Sequence, residues 1–117
     1  MNKNSILVVD DEEQIRKLLS ITLQSNHYRV HEAATGKEGI QQAAMKIPDL
    51  ILLDLGLPDI NGHEVLKNLR TWFSKPVIIV SVRNSEEEII KALDSGANDY
   101  LAKPFRTGEL LAPLRTP

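Results

Sequence analysis

The run Leu50-Ile51-Leu52-Leu53-Asp54 decides the fold, because four consecutive apolar residues are followed at once by a carboxylate. A strand that is apolar at every position is buried on both faces, which is typical of a parallel sheet covered by helices. Two other runs have the same form: Ile6–Val9 precedes Asp10, and Val77–Val80 precedes Ser81. We therefore expect at least three buried strands, each followed or ended by a polar residue.

Segments with apolar residues at helical spacing separate these runs. Thr35 and Ser85 each precede a glutamate by three residues, which is the capping-box spacing at a helix N-terminus, and Gly96 is well placed to end the fourth helix. We expect a last helix from about Thr107 and strands over residues 5–10, 28–33, 50–54, 77–81 and 99–102. Right-handed crossovers then predict an α/β, flavodoxin-like, doubly wound sandwich: a five-stranded parallel sheet in the order 2-1-3-4-5 with helices on both faces.

Length and composition are those of one globular domain, so residues 1–117 are expected to form a single unit. The formal net charge of −2 lacks the basic excess of a domain that grips nucleic acid, so we expect no direct nucleic-acid contact. The chain has no cysteine, which excludes disulfides, thiolate metal sites and thiol catalysis. The apolar runs are too short for a membrane span and the N-terminus has no signal-peptide pattern, so the expected location is the cytoplasm.

Polar side chains follow or end four of the five predicted strands: Asp10 and Asp11, Asp54, Ser81, and Lys103. The carboxyl ends of parallel strands meet at one edge of the sheet, where such folds bind ligands. Three carboxylates brought together need a cation, and hard oxygen ligands suit Mg²⁺. A carboxylate beside that ion can attack phosphorus and form an aspartyl phosphate, with the lysine and the hydroxyl stabilising the phosphoryl oxygens. The chain has no P-loop glycine motif, so nucleotide binding is not expected.

Four motifs carry a family resemblance: Val8–Glu12, Pro48–Asp54 with Leu57–Asp59 and Gly62, Val77–Ser81, and Gly96–Phe105. Together they resemble the receiver domain of two-component response regulators over nearly the whole chain. The resemblance implies that the domain takes a phosphoryl group from a sensor histidine kinase and switches conformation to control an output. It implies no enzyme activity other than the domain's own phosphorylation and dephosphorylation.

Two segments narrow the resemblance. Lys91–Glu109 is similar to regulators that join a receiver to a winged-helix DNA-binding domain, which implies transcription as the output, through a domain absent from this chain. The stretch Asp54–Asp59, with Leu69, Arg70 and Trp72 after it, is most similar to regulators of potassium-uptake operons.

The resemblance also implies a metal site at the edge of the sheet. Asp10 and Asp11 resemble the metal-binding acids, and Asp54 resembles the phospho-acceptor, which is itself a metal ligand. The backbone carbonyl of Gly56 resembles the fourth ligand. The implied cofactor is Mg²⁺.

Three further residues of the predicted edge acquire roles from the resemblance. Lys103 resembles the phosphoryl-binding lysine, and Ser81 and Tyr100 resemble the switch pair. On phosphorylation Ser81 is expected to move toward a phosphoryl oxygen, and Tyr100 to turn inward. The resemblance also implies a cis bond between Lys103 and Pro104, which would let the lysine point back to the edge from a tight turn.

The implied dimer face comprises Lys91, Asp99 and Glu109, which could pair across a two-fold axis. Pro113 stands where the subfamily usually has an arginine, and a proline in a helix interior costs about 3 kcal/mol, so the last helix is expected to be short. We therefore expect a monomer without phosphate and at most a weak homodimer with it. Val82 is bulkier than the small residue usual after the switch hydroxyl and could narrow access to the acceptor.

Two alternative functions stay open at this point. A phosphatase or phosphotransferase acting through an aspartyl phosphate would carry a second acid two residues after the nucleophile, where this chain has Gly56. A receiver-shaped interaction module would need no phosphate, although the intact polar residues argue against it. His27, His31 and His63 lack partners at metal or relay spacing, so each is expected at the surface or at a sheet edge.

Overall fold

Five strands form one parallel sheet in the predicted order. The computed structural model describes residues 4–115 of the chain. Its strands are β1 Ser5–Val9, β2 Arg29–Ala33, β3 Leu50–Leu53, β4 Val77–Ser81 and β5 Asp99–Ala102. They lie side by side in the order β2-β1-β3-β4-β5, and every neighbouring pair is parallel. The expected doubly wound α/β fold is confirmed.

Five helices alternate with the strands: α1 Glu13–Ser25, α2 Gly36–Lys46, α3 Gly62–Arg70, α4 Glu86–Asp94 and α5 Thr107–Arg115. The predicted caps are present. The Thr35 hydroxyl accepts a hydrogen bond from the backbone N–H of Glu38, and Ser85 does the same for Glu88. Gly96 has a φ of 111° just after α4, a backbone conformation that favours glycine. Among residues 4–115, no helix is long and apolar enough to cross a membrane.

Two hydrophobic cores cover the two faces of the sheet, because successive residues of a strand point to opposite sides. On one face, Leu53 packs with buried residues of α2, α3 and α4, including Leu66. On the other face, Leu52 packs with buried residues of α1 and α5, including Leu19 and Leu110. Helices therefore close both faces, which explains why the three central strands β1, β3 and β4 are apolar at every position except Ser5 and Ser81.

The strand register brings the predicted polar residues to one edge. Val9 of β1 is paired with Leu53 of β3, so the residues that follow them lie next to each other. The backbone N–H of Asp54 donates to the carbonyl of Val9 at 2.9 Å. On the other side, Ser81 pairs with Ala102, which places Lys103 at the same level.

The last helix differs from the expectation that Pro113 would shorten it. The helix α5 runs through Pro113, its seventh residue, and reaches Arg115. The physical reason is packing: Leu110, Leu111 and Leu114 on either side of the proline contact the core beneath α1 and α5. Near the C-terminal end of a helix, the missing proline N–H removes only one backbone hydrogen bond.

Candidate functional site

Two buried carboxylates and a buried ammonium meet at the carboxyl edge of the sheet. Asp10 and Asp54 follow the two central strands and are only 2% and 6% exposed. The Nζ atom of Lys103 lies 2.6 Å from Oδ2 of Asp10 and 3.6 Å from Oδ2 of Asp54. It also lies 3.4 Å from Oε1 of Glu12. The predicted convergence of Asp10, Asp54 and Lys103 is therefore observed.

The Lys103–Pro104 bond that aims the lysine at this edge is cis, as predicted. The backbone N–H of Lys103 donates to the carbonyl of Ser81 at 3.0 Å, which ties the end of β5 to the end of β4. The lysine side chain is therefore anchored at its base and directed inward over the ends of the central strands.

Burial, hydrogen bonds and neighbouring charges shift the pKa values of Asp10 and Lys103, and some of these effects oppose one another. Burial raises the pKa of Asp10, and the nearby charge of Asp54 adds to the shift; the hydrogen bonds from Lys103 and from the backbone N–H of Glu12 oppose it. Burial alone would lower the pKa of Lys103, but the hydrogen bond to Asp10 and the surrounding carboxylate charges outweigh it, so that the pKa is raised. Lys103 is thus a firmly protonated cation held among acids.

Carboxylate oxygens of Asp10, Glu12 and Asp54 lie within 4.8 Å of one another, close enough to hold a metal ion. An all-oxygen donor set with open positions fits Mg²⁺, and the acids outnumber the single lysine. Asp11, which the sequence analysis placed in the metal site, is exposed and lies outside this group. Glu12 was missed, although its position directly after the acid pair could have indicated it.

The loop that follows Asp54 is held in place by its own backbone and by α2. The backbone N–H of Gly56 donates to Oδ1 of Asp54 at 3.3 Å. Asp59 accepts hydrogen bonds from the backbone N–H groups of Lys37 and Gly36, which lower its pKa. These bonds fix the loop that carries the predicted fourth metal ligand, the carbonyl of Gly56.

The predicted switch residues lie on the two adjacent strands at this end of the sheet. Ser81 is completely buried, and its Oγ accepts a hydrogen bond from the backbone N–H of Arg83 at 3.1 Å. Tyr100 points inward against the core beneath α3 and α4, and its hydroxyl is buried without a hydrogen-bond partner among residues 4–115. Burial raises the pKa of Tyr100. The Ser81 hydroxyl lies close enough to oppose this shift, but the two hydroxyls do not have hydrogen-bond geometry.

His63 contradicts the expectation of a surface or edge position. It is the second residue of α3 and only 1% exposed, and its Nε2 lies 2.5 Å from Oε2 of Glu88 on α4. This hydrogen bond is the main cause of the lowered pKa of Glu88. The prediction was wrong because the partner is 25 residues away and becomes a neighbour only when α3 and α4 pack together. His27 is exposed, and His31 lies on the edge strand β2, both as expected.

The remaining predicted residues lie on the surface. Lys91, Asp99 and Glu109, the expected dimer face, are all exposed on α4, β5 and α5. Val82 is 66% exposed just outside the edge of the sheet.

The comparisons with known proteins agree with this geometry. The profile of the response regulator receiver domain matches residues 6–115. The chain is 50% identical over 111 residues to the KDP operon transcriptional regulatory protein KdpE of Escherichia coli, covering 95% of this chain and 49% of that protein. It is 47% identical over 110 residues to the transcriptional regulatory protein KdpE of Mycobacterium tuberculosis, covering 94% and 49%. The chain thus spans about half the length of these curated relatives.

A solved structure has the same architecture. The beryllofluoride-activated N-terminal receiver domain of Klebsiella pneumoniae RstA superposes with a TM-score of 0.92 at 30% identity, covering 96% of each chain. The residues matched by the family profile, 6–115, include every strand and helix described above apart from Ser5 at the start of β1, and they include Asp10, Glu12, Asp54 and Lys103. Because sequence and fold agree over almost the whole length, the chain belongs to the response regulator receiver domain family.

Proposed function

We propose that Asp54 accepts a phosphoryl group from a phosphohistidine of a sensor histidine kinase. The observation that carries the proposal is the convergence of two buried carboxylates and the buried Lys103 ammonium at the carboxyl edge of the sheet. Membership of the receiver family supports a histidine kinase as the partner. The relatives are transcriptional regulatory proteins, of which this chain covers about half, and their names support transcription as the output.

The chemistry follows from the placement of the three groups. A carboxylate oxygen of Asp54 attacks phosphorus while the bond from phosphorus to the imidazole nitrogen breaks. The imidazole leaves with the electron pair of that bond and takes up a proton, and an aspartyl phosphate remains. Lys103 donates hydrogen bonds to the phosphoryl oxygens in place of part of its contact with Asp10. Burial keeps competing water away from the reacting oxygen.

The acids would hold the divalent ion that the family uses. Asp10, Asp11 and Asp54 with the carbonyl of Gly56 form the proposed ligand set, and Glu12 lies in the same carboxylate group. Mg²⁺, when bound there, neutralises charge on the phosphoryl oxygens. Its arrival would also relieve the repulsion between the two buried carboxylates, which now share one lysine.

The switch is proposed to begin at Ser81. This hydroxyl is now tied to the backbone of Arg83, and movement toward a phosphoryl oxygen would release that bond and shift the start of the loop before α4. Tyr100 already points inward, so the change at this residue would be in its contacts rather than in its direction.

The proposed dimer is weak. Lys91, Asp99 and Glu109 are exposed, and exposed ion pairs contribute only about 0–1 kcal/mol each. We propose that residues 1–117 act as one receiver domain in the cytoplasm, monomeric without phosphate. An enzyme acting on small phosphate esters is not favoured, because Gly56 supplies only a backbone N–H to Asp54 and no general acid.

Intact mass after incubation with acetyl phosphate and Mg²⁺ tests the proposal. The wild-type chain should gain one phosphoryl group, and Asp54→Asn should gain none. Asp94→Asn, which changes an exposed acid on α4, should label like the wild type. Labelling of Asp54→Asn at the wild-type rate would disprove the assignment, and equal rates with and without Mg²⁺ would disprove the metal site.

A further inference from the structure

A second cation, Arg83, lies just after the end of β4, at the edge of the sheet where Asp10, Glu12 and Asp54 meet, and it has no partner among residues 4–115. Lys103 is shared among three carboxylates. Arg83, in the loop between β4 and α4, is exposed, and within residues 4–115 its guanidinium makes no hydrogen bond or ion pair. A free guanidinium is unusual next to a group of acids, because a bidentate pair with a carboxylate is among the stronger polar contacts that an arginine can make.

The arginine side chain reaches across to the loop that follows the acceptor. If Gly56 carried a Cβ atom, that atom would lie 3.9 Å from Nε of Arg83, with no other atom outside the neighbouring residues as close as 4 Å. Gly56 is two residues after Asp54, and its backbone N–H donates a hydrogen bond to the Asp54 carboxylate. The guanidinium therefore lies beside Gly56, in the loop that directly follows Asp54.

His63 explains why this cation is free. Glu88 is an acid close enough for the charge of Arg83 to act on it, but its carboxylate is held by the buried His63 at 2.5 Å. Glu88 is also the residue that a full capping box would turn back toward the N-terminus of α4, and the histidine draws it away from that position as well. The imidazole thus removes the natural partner of Arg83.

We propose that the guanidinium of Arg83 contacts the phosphoryl donor as it approaches Asp54, and that His63 is a positioning residue that keeps Arg83 available by holding Glu88. The proposal rests on phosphorylation of Asp54. Phosphoryl donors carry their negative charge on oxygens that a planar guanidinium matches in pairs. Arg83 exchanges no proton and forms no covalent bond in the step; it attracts and orients the donor.

The test measures the labelling rate by intact mass, in Mg²⁺, over a range of acetyl phosphate concentrations. Arg83→Gln should lower the second-order rate constant roughly five- to tenfold, the effect of one charge-assisted contact in a partly exposed site. Arg83→Lys should recover part of the loss, and the rate should depend less on salt in Arg83→Gln than in the wild type. Arg115→Gln, the same change at the far end of α5, should label at the wild-type rate.

The histidine is tested by a double-mutant cycle. His63→Leu releases Glu88 to pair with Arg83 and should slow labelling about as much as Arg83→Gln. His63→Leu combined with Glu88→Gln should restore the rate to within about twofold of the wild type, because no carboxylate is left to capture the arginine. Thermal unfolding of each variant identifies any loss of rate that arises from instability.

The outcomes separate the two proposals. If the wild type takes no label, or Asp54→Asn is labelled, the function proposed for Asp54 is wrong. If the wild type is labelled and Arg83→Gln is labelled equally fast, only the role of Arg83 is wrong. If the double variant is as slow as His63→Leu while remaining folded, His63 acts through packing and not through Glu88.

Discussion

Replacing Gly62 by alanine should destabilise the protein and disturb the acceptor Asp54. The same replacement at Gly108 should stabilise the protein. Gly62 is the buried first residue of α3 and donates its N–H to the carbonyl of Leu55 at 3.0 Å. An added Cβ would lie 2.4 Å from Cα of Leu55 and 2.6 Å from the carbonyl oxygen of Asp54. Both contacts are with backbone, which cannot rotate away as a side chain can.

The magnitude follows from two opposing effects. Alanine gains about 0.5–1 kcal/mol over glycine in a helix, because the unfolded glycine chain has more freedom to lose. Forcing an extra carbon into a packed site costs about 1–3 kcal/mol or more. The backbone of Asp54 is itself fixed by its bond to Val9, so little relief is available. Because both close contacts are with backbone, we take a packing cost of about 3 kcal/mol. After the helix gain is subtracted, we expect Gly62→Ala to lower the free energy of unfolding by roughly 2–2.5 kcal/mol.

The matched control is Gly108→Ala in the first turn of α5. Nothing lies within 4 Å of a Cβ at Gly108, so only the gain in helix propensity remains, about 0.5–1 kcal/mol. Urea unfolding followed by circular dichroism measures both variants. Labelling by acetyl phosphate should be slower in Gly62→Ala, because the carbonyl of Asp54 has to move, and unchanged in Gly108→Ala. If the two variants are equally stable, the reasoning from close backbone contact is refuted.

Two further predictions concern side chains remote from the acceptor. Glu88→Ala and Glu87→Ala each remove one acid from the first turn of α4, which should lower the free energy of unfolding by about 0.3–1 kcal/mol. Only Glu88→Ala also leaves the buried His63 unpaired, at a further cost of about 1–3 kcal/mol. Equal losses of stability in the thermal unfolding of the two variants would contradict this. Asp49 accepts a hydrogen bond from the backbone N–H of Ser5, which is the main cause of its lowered pKa. Because the pKa is lower in the folded state, its charge stabilises the fold above the unfolded pKa, and this contribution is lost as the pH falls through the folded value. Asp49→Asn should therefore unfold at lower urea than the wild type at pH 7 and at the same urea near pH 2; an equal gap at both pH values would show that the carboxylate charge contributes nothing.

Local sequence signals predicted the fold because each acts within a few residues. The apolar run Leu50–Leu53 has to be buried on both faces whatever its neighbours are, and this requirement led directly to a covered parallel sheet. The caps at Thr35 and Ser85 and the turn at Gly96 involve residues no more than a turn away. For the same reason, the predicted bounds of the strands agree with the observed bounds to about one residue.

The composition of the site was also predictable, because parallel strands end at one edge and bring the residues after them together. Asp10, Asp54 and Lys103 needed no knowledge of side-chain conformation to be grouped. Knowledge of side-chain conformation was needed to say which further acid joins this group. Which acid of the adjacent Asp11 and Glu12 points toward the cluster depends on how the chain turns into α1, and the structure favours Glu12.

Only the tertiary structure decided the contacts between elements far apart in the chain. His63 and Glu88 are 25 residues apart, and neither carries a local signal for the other; they meet because α3 and α4 pack on the same face of the sheet. The inward position of Tyr100 and the reach of Arg83 over Gly56 depend in the same way on which rotamers the packed neighbours leave open. Sequence patterns determine which residues are buried and where strands end, since these follow from hydrophobicity and backbone geometry. The pairing of buried polar side chains follows from the packing of whole helices, which no short stretch of sequence encodes.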